Sequence, residues 1–565
     1  MQKPALKEIF SLLEQYGVNN VICSPGSRNA AILAEADASP NMRNLVVVDE
    51  RSAAFIALGQ ALITRRPVAL ICTSGSALLN YGPAIAEAYY QGLPLIVLSA
   101  DRPSEWIDQD DSQTIRQFGA ISNLVKAEYD IDGDKNDSDY LWYVNRIVNE
   151  GLSRALSRKQ GPVHFNIHLD GKAFDSKNTG YRARKVDTVI PPQLLAKEQI
   201  RMLADEAKDL KIMVVAGFMT PDNNLQKAIT SLATLPNVVI MAETVSNLHL
   251  GDDCFMVDTV LFPLSDARMR ELAPDLVISL GGALISRKLK EFLRRCHPGQ
   301  HWSFSYSDNL IDCFKALTTK FECNPSSFLK SLAKRIAKHH KENTSECGSS
   351  YRESWNALRK KVKPERIGML PWCDLKALSL VLNSLPEDTN LFLSNGTTVR
   401  YGQIIPYPKT HATYSNRGVS GIEGSTSTAI GAALVYDKTT CLITGDMSFG
   451  YDLGGLASRL APDTLRIIVL DNKGGEIFRF INATKNLQTR ERYLSADQEV
   501  PVNTLAEAFG FEYFHADSEE ALNDTFEEFF SDSFVPRILH ISTRNVKDNS
   551  EFLRKYLIDN ELAKD

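Results

Sequence analysis

Two short segments near the C-terminal end carry residue types suited to holding a metal ion against a phosphate. They are Gly445-Asp446-Met447-Ser448-Phe449 and Asp471-Asn472-Lys473-Gly474-Gly475. Each follows an apolar run that reads as a buried parallel strand, Thr440–Thr444 and Leu465–Leu470, with a helical segment (Tyr451–Leu460) between them. In such a βαβ unit both strands end at the same edge of the sheet, where ligands bind. Asp446 and Asn472 offer two hard oxygen ligands, and Gly445, Gly474 and Gly475 allow close backbone approach, a set that suits Mg²⁺ shared with a diphosphate. The competing reading is an ordinary βαβ turn in which Gly-Asp and Asp-Asn cap helices.

A second candidate lies far upstream. Glu50, in Val46-Val47-Val48-Asp49-Glu50-Arg51, follows a strand and opens an Ala-rich helix, so it is either an acid–base group or a carboxylate complementing the helix dipole. Cations recur at strand ends: Arg28 after Ser27, Arg102 in Ala100-Asp101-Arg102-Pro103, Arg287 and Lys288, Arg400, and Arg417 in Ser415-Asn416-Arg417-Gly418. Several arginines at one cleft imply small polyanionic substrates, because the guanidinium fork matches a carboxylate; singly, each is as readily a solvated surface residue. His164 and His168 share one face of a strand with Asn166, and no third ligand is evident, so they read as structural.

The elements that must position these groups alternate strand and helix along the 565 residues, the pattern of α/β domains with parallel sheets. Length alone allows about three or four domains. We divide the chain into residues 1–182, 183–363 and 364–565. Strands are expected near Asn20–Cys23, Leu45–Val48, Val68–Thr73, Leu95–Ser99 and Val163–His168 in the first, and at Ile212–Ala216, Val238–Ala242 and Leu276–Leu280 in the second. The polar passage Asp170–Pro192 reads as a linker, the lysine-rich and amphipathic run Ser327–Pro364 (Leu329, Leu332, Ile336) as a solvated helix and linker, and no internal repeat is apparent. The composition, 44% hydrophobic and 23% charged, is that of a soluble globular protein, and no apolar stretch approaches the ~18 residues of a membrane helix. A net charge of −6 argues against nucleic acid as a partner, and nine cysteines without a Cys-x-x-Cys pair point to a reducing cytoplasm. No Gly-x-Gly-x-x-Gly follows a strand, which disfavours a dinucleotide oxidoreductase.

The interval from Asp446 to Asn472 resembles the thiamin-diphosphate signature, although Met447 stands where Gly is common and Asp471 replaces the first of two Asn. Ser24-Pro25-Gly26-Ser27-Arg28, Asp49-Glu50-Arg51, Ala100-Asp101-Arg102-Pro103, Ser415-Asn416-Arg417-Gly418-Val419-Ser420-Gly421-Ile422-Glu423-Gly424 and the Ile477-Phe478 end of the second metal segment resemble, together, one branch of these enzymes. That branch is the 2-succinyl-5-enolpyruvyl-6-hydroxy-3-cyclohexene-1-carboxylate synthase family of menaquinone biosynthesis.

The resemblance implies a pyrimidine-binding, a central and a diphosphate-binding α/β domain. It implies thiamin diphosphate with Mg²⁺ or Mn²⁺, and a homodimer or homotetramer whose sites lie between subunits. The implied reaction decarboxylates 2-oxoglutarate and adds the succinyl carbanion equivalent to isochorismate in a Stetter-like 1,4-addition. Glu50 would activate the cofactor. Asp446, Asn472 and the Gly474 carbonyl would hold the metal. Asn395, Gly396, Ile422, Gly445, Met447, Ser448, Gly475 and Ile477 would line the cofactor. Ser27, Arg28, Arg102, Gln113, Arg287, Lys288, Arg400, Arg417 and Phe478 would meet the substrates. Arg287-Lys288 reverses the usual order, and Gly396 stands where Ser is common. Two rival readings remain testable: a 2-oxo-acid decarboxylase or acetohydroxyacid-synthase relative that is indifferent to loss of these arginines, and a non-catalytic anion-binding regulator indifferent to Glu50→Gln.

Overall fold

A computed structural model describes residues 3–172, 176–251, 257–342, 349–408 and 412–558. Three all-parallel sheets succeed one another along the chain. The first contains β1 (Asn20–Cys23), β2 (Arg43–Val46), β3 (Val68–Cys72), β4 (Leu95–Asp101), β5 (Glu128–Asp132) and β6 (Val163–His168), in the order β2-β1-β3-β4-β6-β5. The middle sheet contains β7 (Ile212–Ala216), β8 (Val238–Ala242), β9 (Leu276–Leu280), β10 (Gln300–Phe304) and β11 (Thr319–Phe321), ordered β11-β10-β9-β7-β8. The last contains β12 (Asn390–Leu393), β13 (Ala412–Tyr414), β14 (Thr440–Gly445), β15 (Leu465–Asp471), β16 (Glu512–Ala516) and β17 (Arg537–Ser542), ordered β13-β12-β14-β15-β17-β16. The expected fold class, three α/β domains with parallel sheets, is the observed one. Central strands such as β3, β7 and β15 are buried at every residue, which is why they read as unbroken apolar runs.

The first and last sheets share one strand order, so their domains are topological copies of each other, a repeat the residue identities do not reveal. Equivalent helices, each between the second and third strands of its domain, pack face to face: Glu50–Thr64 against Ser425–Ala433. Both are rich in small residues, and both carry a glycine at the crossing. A Cβ on Gly59 would lie 2.1 Å from the Thr428 carbonyl oxygen, and one on Gly431 would lie 2.0 Å from that of Ile56. The contact is therefore reciprocal and admits no side chain at either position. One hydrophobic cluster runs through this crossing from Phe55 to Ile430 and joins the two domains.

The lysine-rich run corrects our expectation of a merely solvated helix and linker. Helix Pro325–Glu342 buries Phe328, Leu329, Leu332 and Ile336 in the core of the middle domain, and helix Ser349–Lys361 places Tyr351, Trp355 and Leu358 in a second cluster of that domain. Its charges occupy one face only. The expected linker has no regular element over residues 176–196, yet it straps back onto helix Pro4–Gln15, with the Gln15 side chain donating to Ala183 O (2.9 Å) and Tyr16 OH to Val186 O (2.8 Å). His164 and His168 are structural. His164 contacts Ser99 Oγ and Glu128 Oε1, both at 2.7 Å, while His168 contacts the Arg102 carbonyl and Asp130 Oδ1 (2.9 Å). All four ring nitrogens are engaged within the protein, leaving none for a metal.

Candidate active site

β14 and β15 run side by side, with Gly445 in register with Leu470. Asp446 and Asn472 therefore leave adjacent strand ends together. Asp446 is buried and accepts the Met447 N–H at Oδ1 and the Gly474 N–H at Oδ2, both at 2.7 Å. Burial, reinforced by the neighbouring carboxylates Asp471 and Asp374, holds its acid well above the usual carboxylate range. The turn that makes this possible is left-handed at both Lys473 (φ 68°) and Gly474 (φ 97°), and a Cβ on Gly474 would strike the Ser495 carbonyl oxygen at 2.0 Å. Asp471, the departure from the two-Asn signature, is turned away: it is bonded to His540 (3.1 Å) and Arg544 (2.9 Å).

Asn472 is oriented from behind. Its Nδ2 donates to Asp374 Oδ2 at 2.6 Å, and its Oδ1 is buried with no partner. A buried carboxyl destabilised as an anion, beside an orphaned amide oxygen, is a donor set that a hard cation satisfies. A Cβ on Gly445 or Gly396 would meet nothing within 4 Å, so the backbone there borders open space. These residues fit a divalent metal carrying a diphosphate.

The rest of the last-domain site is tied to this pair. Ser448 Oγ donates to the Ile422 carbonyl (2.6 Å), joining the first metal segment to the Ser415–Gly424 loop. Asn395 Nδ2 donates to the Asn416 (2.7 Å) and Gly421 (2.6 Å) carbonyls of that loop, and its Oδ1 accepts from Arg417 Nη1 at 2.7 Å. Arg400 Nη1 donates to the Gly396 carbonyl at 2.5 Å. Gly475 N donates to Ser495 O (2.8 Å) and leads into the short helix Ile477–Phe480, where Ile477 and Phe478 are half-buried.

The middle domain adds its cations to the same cluster. Lys288 lies over the Phe262 ring (5.8 Å), which itself packs on Phe480 (5.8 Å between centroids). Arg287 is exposed, and its charge, after burial and Arg417, helps push the Arg400 guanidinium down to about 10. Buried carboxylates offset this positive charge. Glu87 of the first domain accepts the Gly418 (2.5 Å) and Val419 (2.7 Å) amides, and Glu243 of the middle domain accepts those of Ile285 and Ser286. Burial pushes Glu243 up to about 7 against the pull of these bonds.

The remaining expected residues gather at the strand ends of the first sheet. Arg28 Nη1 donates to Leu169 O (3.0 Å), and Arg102 pairs with Asp111 (2.6 Å) and lies close enough to Arg28 to lower its pKa, after burial. Ser27 and Gln113 are exposed, the latter left-handed (φ 62°) and packed beside Gly75. Glu50 accepts from Asn80 Nδ2 at 3.2 Å. Among the described residues no hydrogen bond or ion pair joins Ser27, Arg28, Glu50, Arg102 or Gln113 to Asp446, Asn472 or the Arg400–Arg417 cluster. The neighbours of Glu50 do reach the last domain: Arg51 Nη2 donates to the Tyr451 carbonyl at 2.9 Å.

Three residues that the sequence did not single out hold these groups: Asp374, Glu87 and Glu243. Only Glu87 carries a local signal, a carboxylate inside the apolar stretch Ala84-Ile85-Ala86-Glu87-Ala88.

Comparison with known proteins agrees with this geometry. Residues 5–120 match the family described as the N-terminal TPP binding domain of thiamine pyrophosphate enzymes, residues 194–393 the middle domain of that class, and residues 395–541 its C-terminal TPP binding domain. The fold and the three matched domains define a thiamin-diphosphate-dependent enzyme. Proteins named 2-succinyl-5-enolpyruvyl-6-hydroxy-3-cyclohexene-1-carboxylate synthase resemble it over nearly its whole length. That of Porphyromonas gingivalis is 39% identical (98% of this chain, 96% of the relative), that of Cytophaga hutchinsonii 36% (97% and 98%) and that of Christiangramia forsetii 34% (98% and 98%). The chain belongs to this synthase family.

Proposed function

We propose that the enzyme decarboxylates 2-oxoglutarate and joins the resulting four-carbon succinyl unit to isochorismate by 1,4-addition, releasing CO₂, as a cytoplasmic step of menaquinone biosynthesis. The observation that carries this reading is the cluster of Arg400, Arg417 and Arg287, with Lys288 on the Phe262 ring, gathered from two domains, and the tie of the Arg417 loop to the Asp446 segment through Ser448. A simple decarboxylase of a monoanionic oxo acid has no use for so many cations, whereas two dicarboxylate substrates do.

Thiamin diphosphate, when bound, would supply a nucleophilic carbon that adds to the oxo carbon of the substrate and an electron sink for the pair left when CO₂ departs. Asp446 Oδ, Asn472 Oδ1 and the Gly474 carbonyl would hold Mg²⁺ or Mn²⁺. Gly396, Gly445, Met447, Ser448 and Gly475 would admit the diphosphate, and Ile422, its carbonyl fixed by Ser448, would support the cofactor from beneath with Asn395 beside it. Glu50 would hold and exchange a proton at its carboxyl oxygens, with Oε2 steadied by Asn80. Arg28, Arg102, Arg287, Lys288, Arg400 and Arg417 would bind the substrate carboxylates, with Ser27 and Gln113 taking the ring hydroxyl. Ile477 and Phe478 would exclude water from the reacting carbon. A second copy of the chain would complete each site, pairing Glu50 of one subunit with the metal pair of the other, and the working unit would be a homodimer or a homotetramer.

Turnover of the purified protein with 2-oxoglutarate, thiamin diphosphate and Mg²⁺, with and without isochorismate, tests this. Loss of both substrates, abolished without the cofactor, is expected. Decarboxylation indifferent to isochorismate would leave the class and remove the proposed reaction.

A further inference from the structure

Glu243 immediately follows β8 as a fully buried carboxylate (0% exposed). Its two oxygens accept the Ile285 N–H at 2.9 and 2.7 Å, and Oε1 also accepts the Ser286 N–H at 2.7 Å. Ser286 is the N-cap of helix Arg287–Cys296: its Oγ accepts the Leu289 N–H (3.0 Å) and donates to a second buried carboxylate, Asp258. The helix is thus already capped by its own serine. Glu243 grips the two residues that immediately precede Arg287, from a strand that does not neighbour theirs in the sheet. On its other side Glu243 attracts Arg417, whose Nη2 reaches the Leu284 carbonyl at 3.4 Å.

Burying a carboxylate costs several kcal/mol unless its bonds compensate. A cap alone does not require one here. What the charge adds is a fixed relation between the Ile285–Lys288 turn of the middle domain and the Arg417 guanidinium of the last. We infer that Glu243 is a positioning residue for substrate binding, setting Arg287 and Lys288 in one frame with Arg417, so that the middle domain shapes the site as well as spacing its neighbours. This rests on the proposed contact of Arg287 and Lys288 with a substrate carboxylate.

The test compares the full-length, cofactor-loaded enzyme with Glu243→Gln, the double variant Arg287→Ala/Lys288→Ala, and the triple variant. The readouts are kcat, KM for each substrate, and affinity for thiamin diphosphate. Glu243→Gln keeps the shape but turns an amide N–H toward the Ile285 N–H. It is expected to raise KM for one substrate about tenfold, equivalent to ~1.4 kcal/mol, with kcat within about twofold and cofactor affinity unchanged. The triple variant is expected to be no worse than the double, because Glu243 acts through the residues already removed. Unchanged KM in Glu243→Gln, additive effects in the triple variant, or an equal loss of cofactor affinity would overturn the inference. If the double variant itself leaves both KM values unchanged, the substrate contact is wrong and the inference falls with it. If only the double variant raises KM, the contact stands and the inference alone fails. Should Glu243→Gln not fold, Asp258→Asn severs the other tether: the same KM-specific loss supports the inference and unchanged KM refutes it.

Discussion

Asp374→Asn isolates the residue that aims the amide of Asn472. Asp374 is fully buried and accepts two short bonds, from Asn472 Nδ2 and Thr543 Oγ1, each at 2.6 Å. The first bond fixes which way the Asn472 amide faces and leaves Oδ1 toward the orphaned position. An asparagine that keeps its oxygen on Thr543 presents an NH₂ group to Asn472. Two amide N–H groups then face each other, and the Asn472 amide turns over, placing Nδ2 where a cation must sit. Loss of a hydrogen bond to a charged group is worth about 1.5–3 kcal/mol, so metal affinity should fall roughly 10- to 100-fold, in line with other losses of groups that orient a metal ligand. The assay is a Mg²⁺ titration of thiamin diphosphate binding, followed by calorimetry or tryptophan fluorescence. The metal-free protein should melt no earlier than the parent, because burial makes the Asp374 anion costly and the substitution removes it. An unchanged Mg²⁺ dependence in a folded variant would refute the assignment of Asn472 Oδ1 as a ligand held by Asp374.

Three further outcomes are expected. Glu50→Gln should lower kcat by about 10²–10⁴ while leaving thiamin diphosphate bound, and mixing it with Asn472→Ala under subunit exchange should restore activity; failure to complement would argue against sites shared between copies. His168 is pushed up to about 9: burial lowers its pKa, and the bonds to Asp130 and the Arg102 carbonyl more than offset this. A histidine raised in the folded state from about 6.5 contributes up to ~3 kcal/mol below the unfolded value and loses it as pH climbs through about 9. Urea unfolding of the parent and His168→Asn should therefore differ at pH 6 and converge by pH 10; an equal gap at both would contradict the protonated pairing. Gly431→Ala, whose Cβ would meet the Ile56 carbonyl, should cost about 1–3 kcal/mol in thermal or denaturant unfolding, and an unchanged midpoint would show that the helix crossing is looser than described.

What could be read from the sequence follows from the range of the interactions concerned. Asp446 and Asn472 sit one residue beyond apolar strands, so the strand pattern and a βαβ spacing were enough to place them together. The strand-end arginines were visible for the same reason. Legibility did not follow position in the sheet: the edge strands β2 and β8 were expected, whereas the edge strands β13, of three residues, and β16, half-exposed along most of its length, and the interior strands β10, β12 and β17 were not. The duplicated topology escaped notice because burial and connectivity recur between the first and last domains while residue identities do not. Asp374 bonds Asn472 across 98 positions and Glu87 bonds Gly418 across 331, distances over which no local pattern carries information. The Lys-rich run showed its apolar stripe of Leu329, Leu332 and Ile336 in the sequence, but the pattern does not say what the stripe packs against, and it fills the middle-domain core.

The most direct measurement of the central claim follows carbon. The enzyme is given 2-oxoglutarate labelled with ¹³C at C2 to C5, together with isochorismate, thiamin diphosphate and Mg²⁺. The account predicts one unlabelled CO₂ released per isochorismate consumed, with the four labelled carbons retained as one chain in the product, joined to a ring carbon through the former C2. Label recovered as free succinic semialdehyde, with isochorismate untouched, would contradict it.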